Sequence, residues 1–208
     1  MRWRCFFLMT ACVCLVFISS LTAADEVSPK PFASDFNHPD SGFSETYPWE
    51  VAGGELRYGG GDPEYDCDYN MFDHSVSPDF QYEIQAAWRG GDPDAGFGVI
   101  FRIADDQGML ALEINRRGCF QYSYIRKKWE ITLEKWQQND AIKQVGFNKL
   151  KVFCKGKSIQ CYINDVLVID FLDEWDYDKP VEVGVIALYG VECAFDKFFL
   201  QELPAKEK

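Results

Sequence analysis

The sequence has 208 residues, 33 acidic against 21 basic side chains, a formal net charge of −12 and two histidines. So acidic a chain argues against nucleic acid and anionic membrane as partners, because both need a basic footprint. Two histidines and the absence of any C-x-x-C exclude a zinc ribbon and a His-rich metal site.

Residues 1–24 read as a secretory signal peptide. Arg2 and Arg4 give a positive start, Cys5 to Ser19 is nearly unbroken apolar, and Leu21-Thr22-Ala23-Ala24 supplies a small-residue cleavage site. The apolar run is too short to span a bilayer comfortably. The expectation is a cleaved, secreted chain, extracellular or periplasmic, with no membrane insertion after signal removal. An uncleaved anchor is the alternative. Five cysteines follow the signal: Cys67, Cys119, Cys154, Cys161 and Cys193. They are odd in number and widely spaced, which suits small buried apolar residues better than a disulfide framework.

Residues 25–31 are polar with two prolines and are expected to be a disordered leader. A single domain is expected over 32–203, followed by a polar tail at 204–208. A short strand and turn are expected over Phe32 to Phe43, and a second strand at Glu55 to Tyr58 between glycines. Asp62 to Asp79 reads as an acidic loop with a short strand near Tyr69 to Phe72. Phe80 to Trp88 alternates, with Phe80, Tyr82, Ile84, Ala86 and Trp88 on one face.

Residues 94–126 carry three alternating runs with two turns between them. Pairing Ile103 with Leu110, Phe101 with Leu112 and Val99 with Ile114 makes every inward pair apolar, and a slip of one residue would put polar groups in the core. A turn at Arg116-Arg117-Gly118 then brings Phe120, Tyr122 and Tyr124 beside Ile114, Leu112 and Leu110. The opposite face carries Arg102, Glu113 and Gln121. Further strands are expected over Leu150 to Cys154, Ile159 to Ile163, Val166 to Phe171, Val181 to Tyr189 and Val191 to Leu200. Many short strands and no helical periodicity of useful length mean an all-β, antiparallel sandwich or barrel.

Several segments together carry a family likeness: DF-x2-PDSGF at 35–43, AGFGVIFR at 95–102, AI-x3-GFNKLKV at 141–152, KGKSIQCYIND at 155–165, VGVIAL at 183–188 and CAFDKFFL at 193–200. In their order they resemble concanavalin A-like lectin/glucanase domains. More narrowly, they resemble bacterial extracellular laminin-G-like and 3-keto-disaccharide hydrolase-type domains. The resemblance covers residues 32 to 203. It implies a two-sheet jelly-roll sandwich with one concave sheet, which in this family often binds sugar. It does not fix the activity, since glycosidases and lectins share the fold.

Glu64-Tyr65-Asp66-Cys67-Asp68 places acids at alternate positions, as a retaining glycosidase needs. It lies in a Gly/Pro/Asp-rich loop, so a solvated loop or a structural calcium site is the favoured reading, and no catalytic residue is assigned. Asp92, Asp94, Asp105 and Asp106 are either calcium oxygens or ordinary turn formers. The candidate sugar-binding floor is Glu83, Gln85, Arg102, Glu113 and Gln121. The competing reading makes Arg102 and Glu113 a cross-strand ion pair. Trp129 and Trp175, near turns, are the candidate stacking platforms. The expected function is an exported, non-catalytic module that binds a carbohydrate or glycoconjugate, or another surface partner, on its concave face. The alternatives are a glycoside-acting hydrolase of the 3-keto-disaccharide or glucanase type, and a structural sandwich with no small ligand.

Overall fold

Period-two alternation marks the strands of the core, as along Phe80 to Ala86 and Asn148 to Lys155. The computed structural model describes residues 30–38, 40–104, 108–125, 131–133 and 135–204. The expected signal peptide, most of the leader and the tail, Asp105, Asp106 and Trp129 lie outside the described residues. Within them there are fifteen strands and no helix. In chain order they are β1 (Phe32–Ser34), β2 (Trp49–Ala52), β3 (Glu55–Gly59), β4 (Cys67–Met71), β5 (Phe80–Gly91), β6 (Phe97–Ala104), β7 (Gly108–Ile114) and β8 (Cys119–Ile125). Then come β9 (Ile131–Leu133), β10 (Gln137–Gln138), β11 (Asn148–Lys155), β12 (Ser158–Ile163), β13 (Val166–Leu172), β14 (Glu182–Leu188) and β15 (Val191–Glu202).

The strands form two antiparallel sheets. The eight-stranded sheet runs β13-β12-β11-β5-β15-β3-β2, with β1 on β15, and the seven-stranded sheet runs β10-β8-β7-β6-β14-β4, with β9 on β8. The inner faces meet in one core. β5, β11 and β12 contribute Phe80, Tyr82, Ile84, Leu150, Val152, Ile159 and Ile163, and β6, β7 and β14 contribute Val99, Phe101, Leu110, Leu112, Ile114 and Val185. Each such side chain, fully buried, stabilises the fold by about 1.5–3 kcal/mol. The Tyr82 hydroxyl crosses between the sheets and donates to the Gly184 carbonyl at 2.9 Å. Cys154, Cys161 and Cys193 are buried in this core as free thiols, and Cys67 and Cys119 are half-buried and also free.

The β7–β8 pairing is the expected one, with Phe120, Tyr122 and Tyr124 opposite Ile114, Leu112 and Leu110. The β6–β7 pairing differs by two residues. Val99 stands opposite Leu112 and Phe101 opposite Leu110, and the register breaks between Phe101 and Ala104. A two-residue offset keeps every side chain on its face, so the apolar pattern cannot distinguish the two registers.

The irregularity overturns the expected outward position of Arg102. Its φ is 51°, in the left-handed region, and the local kink turns the side chain inward. Arg102 has no exposed surface and makes no pair with Glu113. Instead its Nη1 donates to Asp173 Oδ2 at 3.3 Å and its Nη2 to the carbonyls of Pro78 at 3.3 Å and Gly156 at 2.5 Å. The guanidinium also lies 4.8 Å from the Tyr177 ring centroid. A residue of one sheet thus clamps the β11–β12 turn and the segment after β13 of the other.

Truncating one partner of a buried pair leaves the other charge without compensation, which costs about 3–5 kcal/mol. Arg102→Ala should therefore lower stability by that amount, read as a fall in the urea midpoint with an unchanged slope. A change below about 1 kcal/mol would show that Asp173 finds another partner.

Candidate functional site

The outer face of the seven-stranded sheet follows from the pairing registers. One row across it reads Tyr69 on β4, Ile186 on β14, Gly98 on β6, Glu113 on β7 and Gln121 on β8. The next row reads Met71, Gly184, Ile100, Ala111 and Ser123. Gly98 and Gly184 are required in these rows. A Cβ at Gly98 would collide with the Leu112 carbonyl oxygen, and one at Gly184 with that of Asn70. Ile100, Ala111 and Ile186 form a small apolar cluster separate from the main core, flanked by Cys67, Met71, Ile103 and Met109.

Glu113 is the chemical centre of this face. It is 2% exposed, and Oε1 accepts a hydrogen bond from Ser123 Oγ at 3.2 Å. Gln121 also donates to the carboxylate. Oε2 is buried without any hydrogen-bond partner. Burial raises the carboxyl to about 7, against the bonds from Gln121 and Ser123, which pull the other way. Trp136 shares the space. A Cβ added to Gly96 would come within 2.6 Å of Glu113 Oε2 and 2.8 Å of the Trp136 ring. The missing side chain at Gly96 thus leaves room for a carboxyl oxygen and an indole edge to approach one another. The Cys67 thiol on β4 is raised by burial first, then by the negative charges of Glu113, Asp68 and Asp66.

The seven residues expected to bind sugar do not share one surface. Glu113 and Gln121 lie together here. Arg102 points inward, as described above. Glu83 and Gln85 belong to β5 of the opposite sheet, between Lys151 and Phe199 and between Lys149 and Asp196. Alternation places a residue on a face but does not say which sheet the strand joins. Trp175 is half-buried beside the Arg102 clamp, and its backbone N–H donates to Asp173 Oδ1 at 3.1 Å. Trp129 lies outside the described residues. Trp136 was not singled out in the sequence, because the gap at Gly96 that admits it depends on the sheet pairing.

The acidic look-alike at 64–68 does not form a carboxylate pair. Glu64 and Asp66 are exposed, and Asp68 turns to the inner side, where the Tyr58 hydroxyl donates to it at 2.7 Å. No group of three or more His, Cys, Asp or Glu able to hold a metal is found among the described residues. Asp94 pairs with Arg117 at 3.1 Å. No helix among the described residues is long and apolar enough to cross a membrane.

Glu113 should make stability depend on pH in an uncommon direction. Between its ordinary value of 4.5 and about 7 the unfolded chain has lost the proton and the folded chain keeps it, so stability falls as pH rises and levels off above about 7. Glu113→Gln removes this term. Its stability relative to the parent should rise across that window, by at most about 3 kcal/mol. Chemical denaturation at a series of pH values checks this, and a pH-independent difference would contradict it.

No protein-family model and no curated protein matches the sequence. Solved structures match the fold. The carbohydrate binding module CBM66 from Bacillus subtilis superposes with a TM-score of 0.63 at 15% identity, covering 77% of this chain and 96% of that one. The β-glucanase of Bacillus licheniformis gives 0.63 at 13% identity, covering 83% and 98%. A β-1,3-1,4-glucanase (lichenase) derived from a mouse hindgut metagenome gives 0.61 at 10%, covering 84% and 100%. The fold is the antiparallel two-sheet jelly-roll sandwich of these structures.

Proposed function

We propose that this protein binds carbohydrate on the outer face of the seven-stranded sheet and does not cleave it. The observation that carries this reading is the Glu113 carboxyl, buried with one oxygen unpartnered, beside Trp136 and between Gln121 and Ser123. A buried acceptor without a donor costs about 1–3 kcal/mol. A sugar hydroxyl would supply the missing bond, and an adjacent indole offers the apolar surface that a pyranose ring needs. Gln121 adds an amide in the Glu113 row and Ser123 a hydroxyl in the next. Structural neighbours named for binding carbohydrate and for acting on glucan support a saccharide as the ligand class.

The strand that holds the acid supports binding without cleavage. Glycoside hydrolysis with retention needs two carboxyls about 5 Å apart. β7 presents Met109, Ala111 and Glu113 on this face, so Glu113 stands alone on its strand. Glu182 shares the face but lies four residues along β14 from the Glu113 row, roughly 13 Å away. One observation favours the glycoside-hydrolase alternative: an acid held near 7 is suited to general-acid work at neutral pH.

A glycan array run beside a reducing-sugar release assay separates the readings. Binding without release is expected. Glu113→Gln and Trp136→Ala should each weaken it by about tenfold or more. Sugar release by the parent that Glu113→Gln abolishes would establish the enzyme instead. Glycan binding untouched by both substitutions would remove the outer face from consideration.

A further inference from the structure

A concavity lies at one end of the sandwich. Its lining is Trp88 and Gly91 of β5, Pro93 of the β5–β6 connection, Arg116 and Arg117 of the β7–β8 turn, and Gln144 of the segment before β11. Its volume is about 460 Å³, within the range of small-ligand sites. The turn that carries the two arginines is fixed by its own hydrogen bonds. Asn115 Oδ1 accepts from the backbone N–H of Arg117 at 3.0 Å and of Cys119 at 3.1 Å. Gln138 Nε2 donates to the Gly118 carbonyl at 3.0 Å.

The two arginines are in different electrostatic situations. Arg117 is neutralised by Asp94, with Nε and Nη2 at 3.1 and 3.4 Å from its two carboxylate oxygens. Arg116 has no carboxylate partner among the described residues. Its Nη1 reaches only the neutral Gln144 Oε1, at 3.4 Å, and its guanidinium lies 5.5 Å from the Trp88 ring centroid. In a chain with 33 acidic and 21 basic residues, an arginine without a counter-ion stands out. Here the cation is stacked on an indole, beside an amide and a proline, at the wall of a cleft. The indole Nε1 of Trp88 also has no acceptor.

We propose that this cleft binds the anionic group of an acidic saccharide, a uronate carboxylate or a sulfate ester, with Arg116 as its counter-ion. A planar guanidinium engages either group through two parallel N–H bonds. Stacking on Trp88 holds the guanidinium in place, and Trp88 and Pro93 give the sugar ring apolar walls. The Gln144 amide, which now accepts from Arg116, can turn its donors toward the ligand. The site is separate from the Glu113 row and does not depend on it.

Titration calorimetry at low and high salt tests this with four ligands: an oligouronate, a sulfated oligosaccharide, the neutral oligosaccharide of the same backbone, and inorganic sulfate. The parent protein should bind at least one acidic saccharide about tenfold or more tightly than its neutral counterpart, with the preference falling as salt rises. Arg116→Gln should abolish that preference, and Arg116→Lys should restore part of it, with thermal unfolding unchanged in both. A parent with no acidic preference, or an Arg116→Gln variant that keeps it, overturns the proposal. So does complete displacement of the saccharide by equimolar inorganic sulfate, which would mark a bare anion site. Which acidic saccharide is preferred separates uronate from sulfate ester. Acidic binding with no detectable neutral binding would support this cleft and count against the Glu113 face alone.

Discussion

The Arg102–Asp173 pair holds one end of the two sheets together. A sandwich built by alternation has an apolar interior, and apolar packing alone is tolerant of sliding and repacking. A guanidinium buried between the sheets is not tolerant in this way. It must find Asp173 and the carbonyls of Pro78 and Gly156, all contributed by segments that border the eight-stranded sheet, or remain uncompensated. The geometry at that end is therefore specified by directional bonds. Elsewhere the sheets are tied by the Tyr58 hydroxyl of β3, which donates to Asp68 of β4 at 2.7 Å.

The same residue shows where sequence pattern stops being informative. Along β6 the alternation Phe97, Val99, Phe101 assigns inward positions correctly, and Ile100 falls outward as expected. Continuing the alternation places Arg102 outward. The chain instead spends Arg102 and Ile103 on a kink before Ala104 pairs with Gly108. No residue type marks that kink, since arginine has no preference for positive φ. The cue was chemical: Asp173 lies in an acidic loop and is buried, and a buried carboxylate needs a cation.

Legibility of the proposed binding face divides along similar lines. Glu113 and Gln121 were readable together because a hairpin joins β7 and β8, and a hairpin fixes register locally. Glu83 and Gln85 were grouped with them by facing direction alone. β5 joins the other sheet, with β11 and β15 as its neighbours, strands far away in sequence. Trp136 was equally illegible, because its place beside Glu113 depends on a side chain that Gly96 lacks. Local pairs can be derived from one sequence, whereas a surface assembled from distant segments needs the topology.

Glu113 also bears on why this face is not simply a second apolar surface. Its neighbours Ile100, Ala111 and Ile186 are buried and apolar, so a glutamine or methionine in its place would remove an ionisable group from a dry setting at little cost in packing. The acid is held near neutrality by burial, between donors that favour its charged form and surroundings that oppose it. Stability alone gives no reason for that balance, because the folded chain must either keep a proton at pH 6 or bury a charge. The proposed ligand hydroxyl, as a donor to the second oxygen, gives one. On that reading the cost carried by the free protein would be offset on binding, and the destabilised state would be the binding-competent one.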